Sequence, residues 1–588
     1  MQNTAFVIRW MSRRYAARQQ TPWKRQWETA RLKVFLLPPH GQQLNACFAK
    51  TRKKHNNTAL KCKYISIKRW RCKPKVVARH CNKTARKPLI SVMNDAEKTH
   101  EEYAHVLKYT GVFGGVQGLN ILIGLVRSKL VALILGPAGM GLASLLNTVA
   151  NFVSQATNLG ISFSAVKHLS EIFDSGDERR IQEFVKTVRA WSMVAAVAGA
   201  AVCVAASPLL AGHAFGGGGH AWQVTALAPT VAAIALTGGE TAILKGARRL
   251  RDLAVLQIIL VVLSLAIAVP IYLMAGIGGV IPVITLTAIA NLAATARFSL
   301  KLYPLQWRGS RRALGAGTAM VRLGVAFIMS GIFGSGAEMI IRAFLNTTDG
   351  LDAVGLYNAG YVLTVTYAGL VFTAIETDYF PRLSAVNHDT PAVNTLANRQ
   401  IEVTLLVIAP MLALIVTAMP WLIPLLYSGQ FTPVTAMAQV AVLGMYPRAM
   451  MLPIAYITLA KGHSKAYLAI EGASAVVLVL ATTTCFGRWG LTGAGAAILI
   501  GNAFDLAVII AYAGIRYRYR MSRQVLAYAA LQLPLGAAAY AATFASTTAA
   551  RMALGLAAFA ASLTVSAYAL QKKTGIIDSL KQKLGKRQ

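Results

Sequence analysis

Acidic residues are scarce in this chain. Only 22 Asp and Glu stand against 60 Lys and Arg among 588 residues, and all charged types together make up 14%. A soluble protein of this length carries about 25% charged residues, whereas 55% of this chain is hydrophobic and its mean hydropathy is +0.49. Because the hydrophobic residues come in long runs, the composition excludes a soluble domain and predicts an all-α, polytopic membrane protein.

Motifs of nucleotide and metal chemistry are also lacking. The sequence has no Gly-rich loop ending in GKS or GKT, no HExxH, and no set of Cys and His with the spacing of metal ligands. The GGGGH stretch at 216–220 lacks the strand and helix that a phosphate loop requires. We therefore expect no ATP-driven cycle, no catalytic residue, no cofactor and no metal. Cys203 and Cys485 lie in apolar runs and are expected to be small core residues.

The first 92 residues have a composition of their own. They hold 23 Lys and Arg, four of the six cysteines and a single acid, Glu28. The cysteines lack the close pairs of a zinc module, while the charge would suit an arm that binds RNA or anionic lipid. We favour a third interpretation, in which residues 1–92 are disordered or a mis-annotated extension, translation starts at Met93, and there is no nucleic-acid partner.

From Val112 onward the chain falls into hydrophobic blocks of about 20 residues or more, each long enough to cross a bilayer. The breaks between them are rich in Gly, Pro or charge. We predict fourteen spans, at 112–135, 138–163, 189–211, 221–246, 253–275, 278–301, 316–345, 353–377, 401–427, 433–460, 466–486, 490–514, 523–545 and 550–571.

The loops between the spans alternate between rich and poor in basic residues. These residues collect in every second connection and in the KQKLGKR tail, with Arg488 and Arg551 as the exceptions. The positive-inside rule then places both termini in the cytoplasm.

The two halves of the chain repeat a pattern. Gly141 of GMGL precedes Ser170 of HLSE by 29 residues, and Gly355 of AVGL precedes Ser384 of RLSA by 29. We infer two pseudo-symmetric six-helix lobes in parallel orientation around a central cavity. The predicted parts are a lead-in at 93–111, an N-lobe at 112–312, a C-lobe at 313–515, and two further helices with a basic tail at 516–588.

Two cations stand inside the first span, and one inside the seventh. A charge at the bilayer centre costs about 2.5 to 3.5 kcal/mol on insertion scales, so Arg127, Lys129 and Arg342 should face a cavity, a partner or a ligand. Arg127 and Lys129 lie about 200° apart on a regular helix, so both can face one cavity only if the cavity wraps around the helix or the helix is distorted near Gly136 and Pro137. Alternatively, Arg127 neutralises a buried carboxylate such as Glu338 or Glu376.

Other polar residues in the spans have two interpretations each. Amides on the first two spans could bind sugar hydroxyls, or could only join neighbouring helices; these are Asn120, Asn147, Asn151 and Gln155. Carboxylates in low dielectric are candidates for coupling to an ion gradient, or for pairing with a nearby arginine; these are Glu240, Glu338 and Glu376.

The run GLVRSKLVALILGPAGMGLASLLNTVANFVSQATNLGISFSAVKHLSE, its counterpart IIRAFLNTTDGLDAVGLYNAGYVLTVTY and the following YFPRLSA carry a resemblance. They resemble the polysaccharide-transport flippases of the multidrug/oligosaccharidyl-lipid/polysaccharide exporter superfamily, above all the translocases of O-antigen and of enterobacterial common antigen (lipid III). The resemblance covers Tyr109 to Tyr568. It implies a location in the inner membrane of a bacterium, alternating access and an undecaprenyl-pyrophosphate-linked oligosaccharide as cargo. It also implies a role in lipopolysaccharide biosynthesis, with a polymerase and chain-length regulator as partners.

On this resemblance, Arg127, Lys129 and Arg342 become candidates for a pyrophosphate clamp, with Arg322 as a fourth. Two other functions remain open. A drug/ion antiporter of the same superfamily should hold acids where this chain has these cations. A polysaccharide polymerase or ligase should have a large periplasmic loop with catalytic Arg and His, and every loop predicted here is short.

Overall fold

The computed structural model describes residues 86–173, 176–305 and 318–574. The chain divides into two compact units, Met1–His105 and Val106–Gln588. Of the first unit only residues 86–105 are described, and they are helical, so the predicted boundary at Met93 falls inside a helix. Predictions for the earlier residues and for the tail after 574 lie outside the described residues. The spans and the cavity belong to the second unit.

Sixteen α-helices form the described part of the chain. They are α1 (Arg86–Thr157), α2 (Ile161–Phe173), α3 (Glu178–Ala205), α4 (Ser207–Phe215), α5 (Ala221–Thr225), α6 (Ala228–Gly246), α7 (Leu250–Ala275), α8 (Val280–Leu302), α9 (Thr318–Tyr361), α10 (Tyr367–Ala385), α11 (Thr390–Leu426), α12 (Val434–Leu443), α13 (Met445–Ala460), α14 (Ser464–Tyr517), α15 (Arg523–Ala542) and α16 (Thr548–Thr574). A π-helical turn, Val362–Thr366, joins α9 to α10.

Three of these helices reverse at a glycine. Gly136 in α1, Gly350 in α9 and Gly490 in α14 have φ of 64°, 79° and 55°, which glycine adopts without steric cost. A straight helix of 54 residues would be about 80 Å long against a hydrocarbon core of about 30 Å. In α14, a Cβ on Gly493 would instead fall on the carbonyl oxygen of Cys485, eight residues earlier. Each glycine is therefore a hairpin between two spans.

The prediction of fourteen spans in an all-α membrane protein is confirmed. Ten helical runs within the described residues are long and apolar enough to cross a membrane. Four of those runs, Leu122–Thr157, Arg251–Leu302, Ile328–Gly369 and Ser464–Tyr517, each contain two spans, which brings the total to fourteen. The described residues contain no β-strand.

Some predicted span boundaries were wrong. The third span starts at Glu178 rather than 189, because the side chain of Asp177 caps the helix by accepting from the backbone N–H groups of Arg179 and Arg180. The charged segment from Glu178 to Arg189 is thus helical although it is too polar for the hydrocarbon. The second span is interrupted at Gly160, with φ of 67°, and continues in α2 to Phe173.

The helices pack into two six-helix lobes around a central cavity, and two more helices stand outside them. In the first lobe α2, α3 and α8 pack on α6; in the second, α9, α12 and α13 pack on α14. Helices α15 and α16 pack on α11 and on each other, where Gln532 donates to the hydroxyl of Ser566 and accepts from that of Ser562.

Candidate functional site

A cavity of about 930 Å³ lies between the two lobes, and most of its wall comes from the first lobe. Four charged side chains border it, namely Arg127, Lys245, Glu338 and Arg342. The rest of the wall is rich in amides and hydroxyls, among them Asn147, Asn151, Asn291, Thr237 and Thr241, with tyrosines at 272, 367 and 427. A cavity so lined is positively charged overall and offers many hydrogen bonds.

Arg127 is a cavity arginine without a carboxylate partner among the described residues. Its side chain is exposed to the cavity, and its Nη1 donates to the hydroxyl of Ser264 on α7 at 3.2 Å. Glu338, one of the two acids predicted as its partner, pairs with Arg342 instead. The side chain of the other, Glu376, lies outside the described residues. Arg127 therefore keeps most of its donors free for an anion.

Arg342 is fully engaged with the protein. It is 4% exposed, and its Nη1 lies 3.2 Å from Oε2 of Glu338, one turn earlier in α9. Its Nε donates to the hydroxyl of Ser144 at 2.9 Å, and its guanidinium lies 5.5 Å from the ring centre of Tyr361. Tyr361 in turn donates to Oε1 of Glu338 at 3.1 Å. The charge of Arg342 is thus compensated, although both members of the ion pair border the cavity.

Lys129 does not border the cavity. Its Nζ donates to the carbonyl oxygen of Leu425 at 2.6 Å, at the carboxyl end of α11, where a helix attracts positive charge. The offset of about 200° between Arg127 and Lys129 therefore places them on different sides of their helix. The structure brings Arg127 and Arg342 to one cavity and leaves Lys129 outside it. The side chain of Arg322 lies outside the described residues.

Equivalent residues of the two halves meet beside the cavity. Gly141 and Gly355 are in contact so close that a Cβ on either would fall on backbone of the opposite helix. One turn further, Ser144 donates to Oδ1 of Asn358 at 2.9 Å. Both pairs are separated by 214 residues, as are the hairpin glycines 136 and 350. At this offset the residue equivalent to Arg342 in the first half is Ser128. Arg127 is next to that position in sequence, so the two arginines do not occupy equivalent positions.

The candidate sugar-binding amides divide into two groups. Asn147 and Asn151 border the cavity. Gln155 is exposed near Gly331 of α9 but is not part of the cavity wall. The side chain of Asn120 lies outside the described residues.

Glu240, a candidate for ion coupling, forms an ion pair within the first lobe. Its two carboxylate oxygens accept from Nε and Nη2 of Arg189 at 2.8 and 3.2 Å. Arg189 also donates to the carbonyl of Tyr303 and the hydroxyl of Ser299. Both charged side chains are nearly buried, at 12% and 13% exposed. This bidentate pair ties α3 to α6 and α8, which favours a structural role for Glu240.

Lys245 is a charged member of the cavity wall that was not predicted from the sequence. It stands one residue before the end of α6, close in sequence to the basic residues Arg248 and Arg249, so in the sequence it looks like part of the same basic loop. The spacing of Thr237, Thr241 and Lys245 at four-residue intervals puts them on one face of α6, and that periodicity was the available signal. The described residues contain no group of three or more His, Cys, Asp or Glu that could hold a metal.

Comparisons with known proteins agree with this architecture. The family model described as "Polysaccharide biosynthesis protein" matches residues 130–436. The lipid II flippase MurJ in an inward closed conformation superposes with a TM-score of 0.61 at 12% identity, covering 78% of this chain and 99% of that one. An inward-facing multidrug resistance MATE family transporter of the MOP superfamily superposes with 0.56 at 14% identity, covering 70% and 98%.

A MATE transporter of Vibrio cholerae superposes with a TM-score of 0.50 at 15% identity, covering 71% of this chain and 97% of that one. At these identities the superpositions show a shared fold. Among curated proteins, the search finds no match to this chain.

Proposed function

The chain belongs to the polysaccharide biosynthesis protein family, and on that premise we propose that it is a flippase for an undecaprenyl-pyrophosphate-linked oligosaccharide. The cargo, an O-antigen unit or a similar precursor of a surface polysaccharide, moves from the cytoplasmic to the periplasmic leaflet of the inner membrane. In this orientation both termini are cytoplasmic, and the hairpins at Gly136 and Gly350 face the periplasm. The lobes at 112–312 and 313–515 move against each other by alternating access.

The observation that carries this proposal is Arg127, a cavity arginine held by one hydroxyl and by no carboxylate among the described residues. An uncompensated guanidinium inside a membrane protein is costly unless an anion binds it. Its planar fork matches the paired oxygens of phosphate. With Glu338 offset by Arg342, the cavity retains the charge of Arg127 and Lys245, which favours an anionic cargo and disfavours the cationic cargo of a drug antiporter.

The remaining wall suits the sugar part of such a cargo. Asn147 and Asn151 lie on the same arm of α1 beyond Gly136, and Asn291 of α8 and Thr237 of α6 border the same cavity. Sugars present many hydroxyls, so a wall of amides and hydroxyls can bind them without requiring charge. Of the two coupling candidates whose side chains the structure describes, Glu240 and Glu338, only Glu338 borders the cavity, so we propose it as the first to examine.

We expect Arg127→Gln to abolish transport while leaving insertion unchanged, because Arg127 contributes one hydrogen bond to the fold. Arg127→Lys should restore only part of the rate, since an ammonium cannot reproduce two parallel hydrogen bonds. The measurement is translocation of an undecaprenyl-pyrophosphate oligosaccharide in proteoliposomes, together with surface polysaccharide in cells that lack the native gene.

Arg297 provides the matched control. It is an exposed arginine within α8 that does not border the cavity, so Arg297→Gln should transport normally. Normal translocation by Arg127→Gln would overturn the proposed role of the residue. A wild-type protein that moves organic cations and ignores the lipid-linked oligosaccharide would overturn the proposed function itself.

A further inference from the structure

Lys245 occupies a special position in the cavity wall. It borders the same cavity as Arg127, its side chain is exposed, and it forms no hydrogen bond or ion pair with another described residue. It is also the second-last residue of α6, beside the chain reversal at Arg248. Lys245 is therefore a free cation at the mouth of the cavity, whereas Arg127 lies well inside.

The two cations differ in depth. Arg127 is nine residues before the hairpin glycine Gly136, which places it about 13 Å from that end of the bundle. Helix α6 ends at the opposite end, since it is the fourth of the alternating spans. For a hydrocarbon core of about 30 Å, Lys245 then lies at the membrane surface and Arg127 about 15 Å deeper.

We propose that Lys245 is a loading site that binds the pyrophosphate of the cargo at the cytoplasmic surface before Arg127 can reach it. This inference rests on the proposed function. The phosphates of a membrane lipid lie at the edge of the hydrocarbon core, the depth of Lys245. The pyrophosphate reaches Arg127 only after it has moved into the cavity. Two cations at two depths thus give the anion two successive positions.

The residue types fit these two roles. The Lys ammonium is a compact, strongly hydrated charge on a flexible stem, so it can bind a phosphate at the water interface and release it. Arg127 holds a phosphate by a planar fork in a setting with less water, where hydrogen bonds to charge are stronger.

The wall beside Lys245 has contacts for the adjoining sugar. Thr241 and Thr237 follow one and two turns deeper on the same face of α6. On α8, Thr287 Oγ1 and Asn291 Oδ1 are buried oxygens without a hydrogen-bond partner among the described residues, and both side chains border the cavity. The hydrogen bond between Thr230 and Thr285 aligns these helices, which sets Asn291 near the level of Thr237. A sugar whose pyrophosphate is on Lys245 would reach these groups.

The test measures binding of undecaprenyl pyrophosphate, which carries no sugar, to the full chain in lipid nanodiscs at low ionic strength. We expect Lys245→Gln to weaken binding about tenfold and Lys245→Arg to retain it. The loss should shrink as salt is raised, since Lys245 is exposed to water. Arg127→Gln should fail to translocate, because the deeper position for the pyrophosphate is lost. Lys301→Gln is the matched control, because Lys301 is an exposed lysine at the same end, on α8, outside the cavity.

Each outcome decides the matter. If wild type binds undecaprenyl pyrophosphate and Lys245→Gln binds it equally well, the loading site is overturned and the flippase proposal stands. The loading site is also overturned if Lys245→Gln weakens binding only of a second probe, a lipid-linked oligosaccharide with an acidic sugar. In that case Lys245 would bind a sugar carboxylate rather than the pyrophosphate. If wild type binds no undecaprenyl pyrophosphate, the proposed function fails. Thermal unfolding of each variant shows that the substitution leaves the fold intact.

Discussion

At the scale of single residues, the two arginines of the cavity differ in their partners. Arg342 is fixed by Glu338, by Ser144 and by the rings of Tyr357 and Tyr361, whereas Arg127 has one hydroxyl. Arg342 is buried and the side chain of Glu338 is 40% exposed, so removing Arg342 leaves a carboxylate that solvent compensates only in part. Substitution of Arg342 should therefore lower mainly the stability, and substitution of Arg127 mainly the transport rate.

We expect Arg342→Gln to lower thermal stability by about 1.5 to 3 kcal/mol, the range for hydrogen bonds to charged groups. The double variant Arg342→Gln with Glu338→Gln should recover most of it, because no unpaired carboxylate remains. Membrane abundance and thermal unfolding of the single and double variants form the cycle. If the double variant is no more stable than Arg342→Gln, the ion pair does not explain the effect.

His463 is a second titratable residue with a specific prediction, and it lies in the connection between α13 and α14. Its Nδ1 is 2.6 Å from the hydroxyl of Tyr517, on which its ring stacks. Burial, followed by the charges of Arg516 and Lys461, lowers the pKa of His463 below its ordinary value of 6.5. The unfolded chain therefore binds this proton more readily than the folded protein, and stability is lost as pH falls below about 6.5.

The thermal midpoint of wild type should thus fall more between pH 7.5 and 5.5 than that of His463→Gln, which cannot bind the proton. His388→Gln, a change in the exposed connection before α11, serves as the control and should follow wild type. Identical pH dependence of His463→Gln and wild type would contradict the assignment.

At the scale of elements, the crossing of α1 and α9 depends on two glycines. A Cβ on Gly141 would overlap the carbonyl oxygen of Leu351, and one on Gly355 would overlap that of Pro137. Backbone cannot yield as a flexible side chain can, so any larger residue must separate the helices. Small residues permit such close crossings in membranes. The repeat found in the sequence, Gly141 and Gly355, is thus the contact between the lobes near the hairpin end.

Gly141→Ala should open this end of the bundle. If the substitution shifts the free-energy difference between the closed and open states by about 1 kcal/mol, the population of a minor open state rises about fivefold. Asn147→Cys, in the cavity wall, should then react several times faster with a membrane-impermeant maleimide added from the periplasmic side. Gly124→Ala is the control, because Gly124 borders the cavity and has nothing within 4 Å of the added Cβ. Equal labelling in both variants would contradict the role of the crossing.

At the scale of the whole molecule, two further contacts join the lobes at the hairpin end. Lys129 of the first lobe donates to the carbonyl of Leu425 at the carboxyl end of α11. Asn346 of the second lobe donates to the carbonyl of Ala214 at the carboxyl end of α4, at 2.9 Å. Each lobe thus contacts the other in a similar way, and together with the glycine crossing these bonds hold the periplasmic end closed in the proposed orientation.

Lys129→Gln and Asn346→Ala should each favour the open form modestly. A cation at a helix carboxyl end contributes about 0.3 to 1 kcal/mol, and a neutral hydrogen bond about 0.5 to 1.5 kcal/mol. The double variant should shift the equilibrium by roughly the sum, since the two bonds are distant and share no partner. Distances between spin labels on the two lobes measure the populations. Unchanged distance distributions in the double variant would show that these bonds do not maintain closure.

Much of the fold could be predicted from sequence. The free energy of transferring a side chain into hydrocarbon depends mainly on the chemistry of that side chain, and the values add along consecutive residues. The runs of apolar residues therefore determined the fourteen spans and the all-α class. The two 29-residue spacings predicted the duplication. The start of α3 was misplaced because a capped, charged helical segment outside the membrane has no hydrophobic signal.

The site was less predictable, since hydropathy gives the depth of a residue but not the direction in which it faces. Arg127 and Lys129 are two residues apart and equally costly in lipid, yet one borders the cavity and the other binds α11. That difference depends on the rotation of α1 against its neighbours, which is set by contacts between residues far apart in sequence. The same holds for Lys245, whose sequence context is that of a surface loop. The sequence by itself determined which segments cross the membrane, and the tertiary structure decided which of their charges face the cavity, because packing between distant helices fixes that direction.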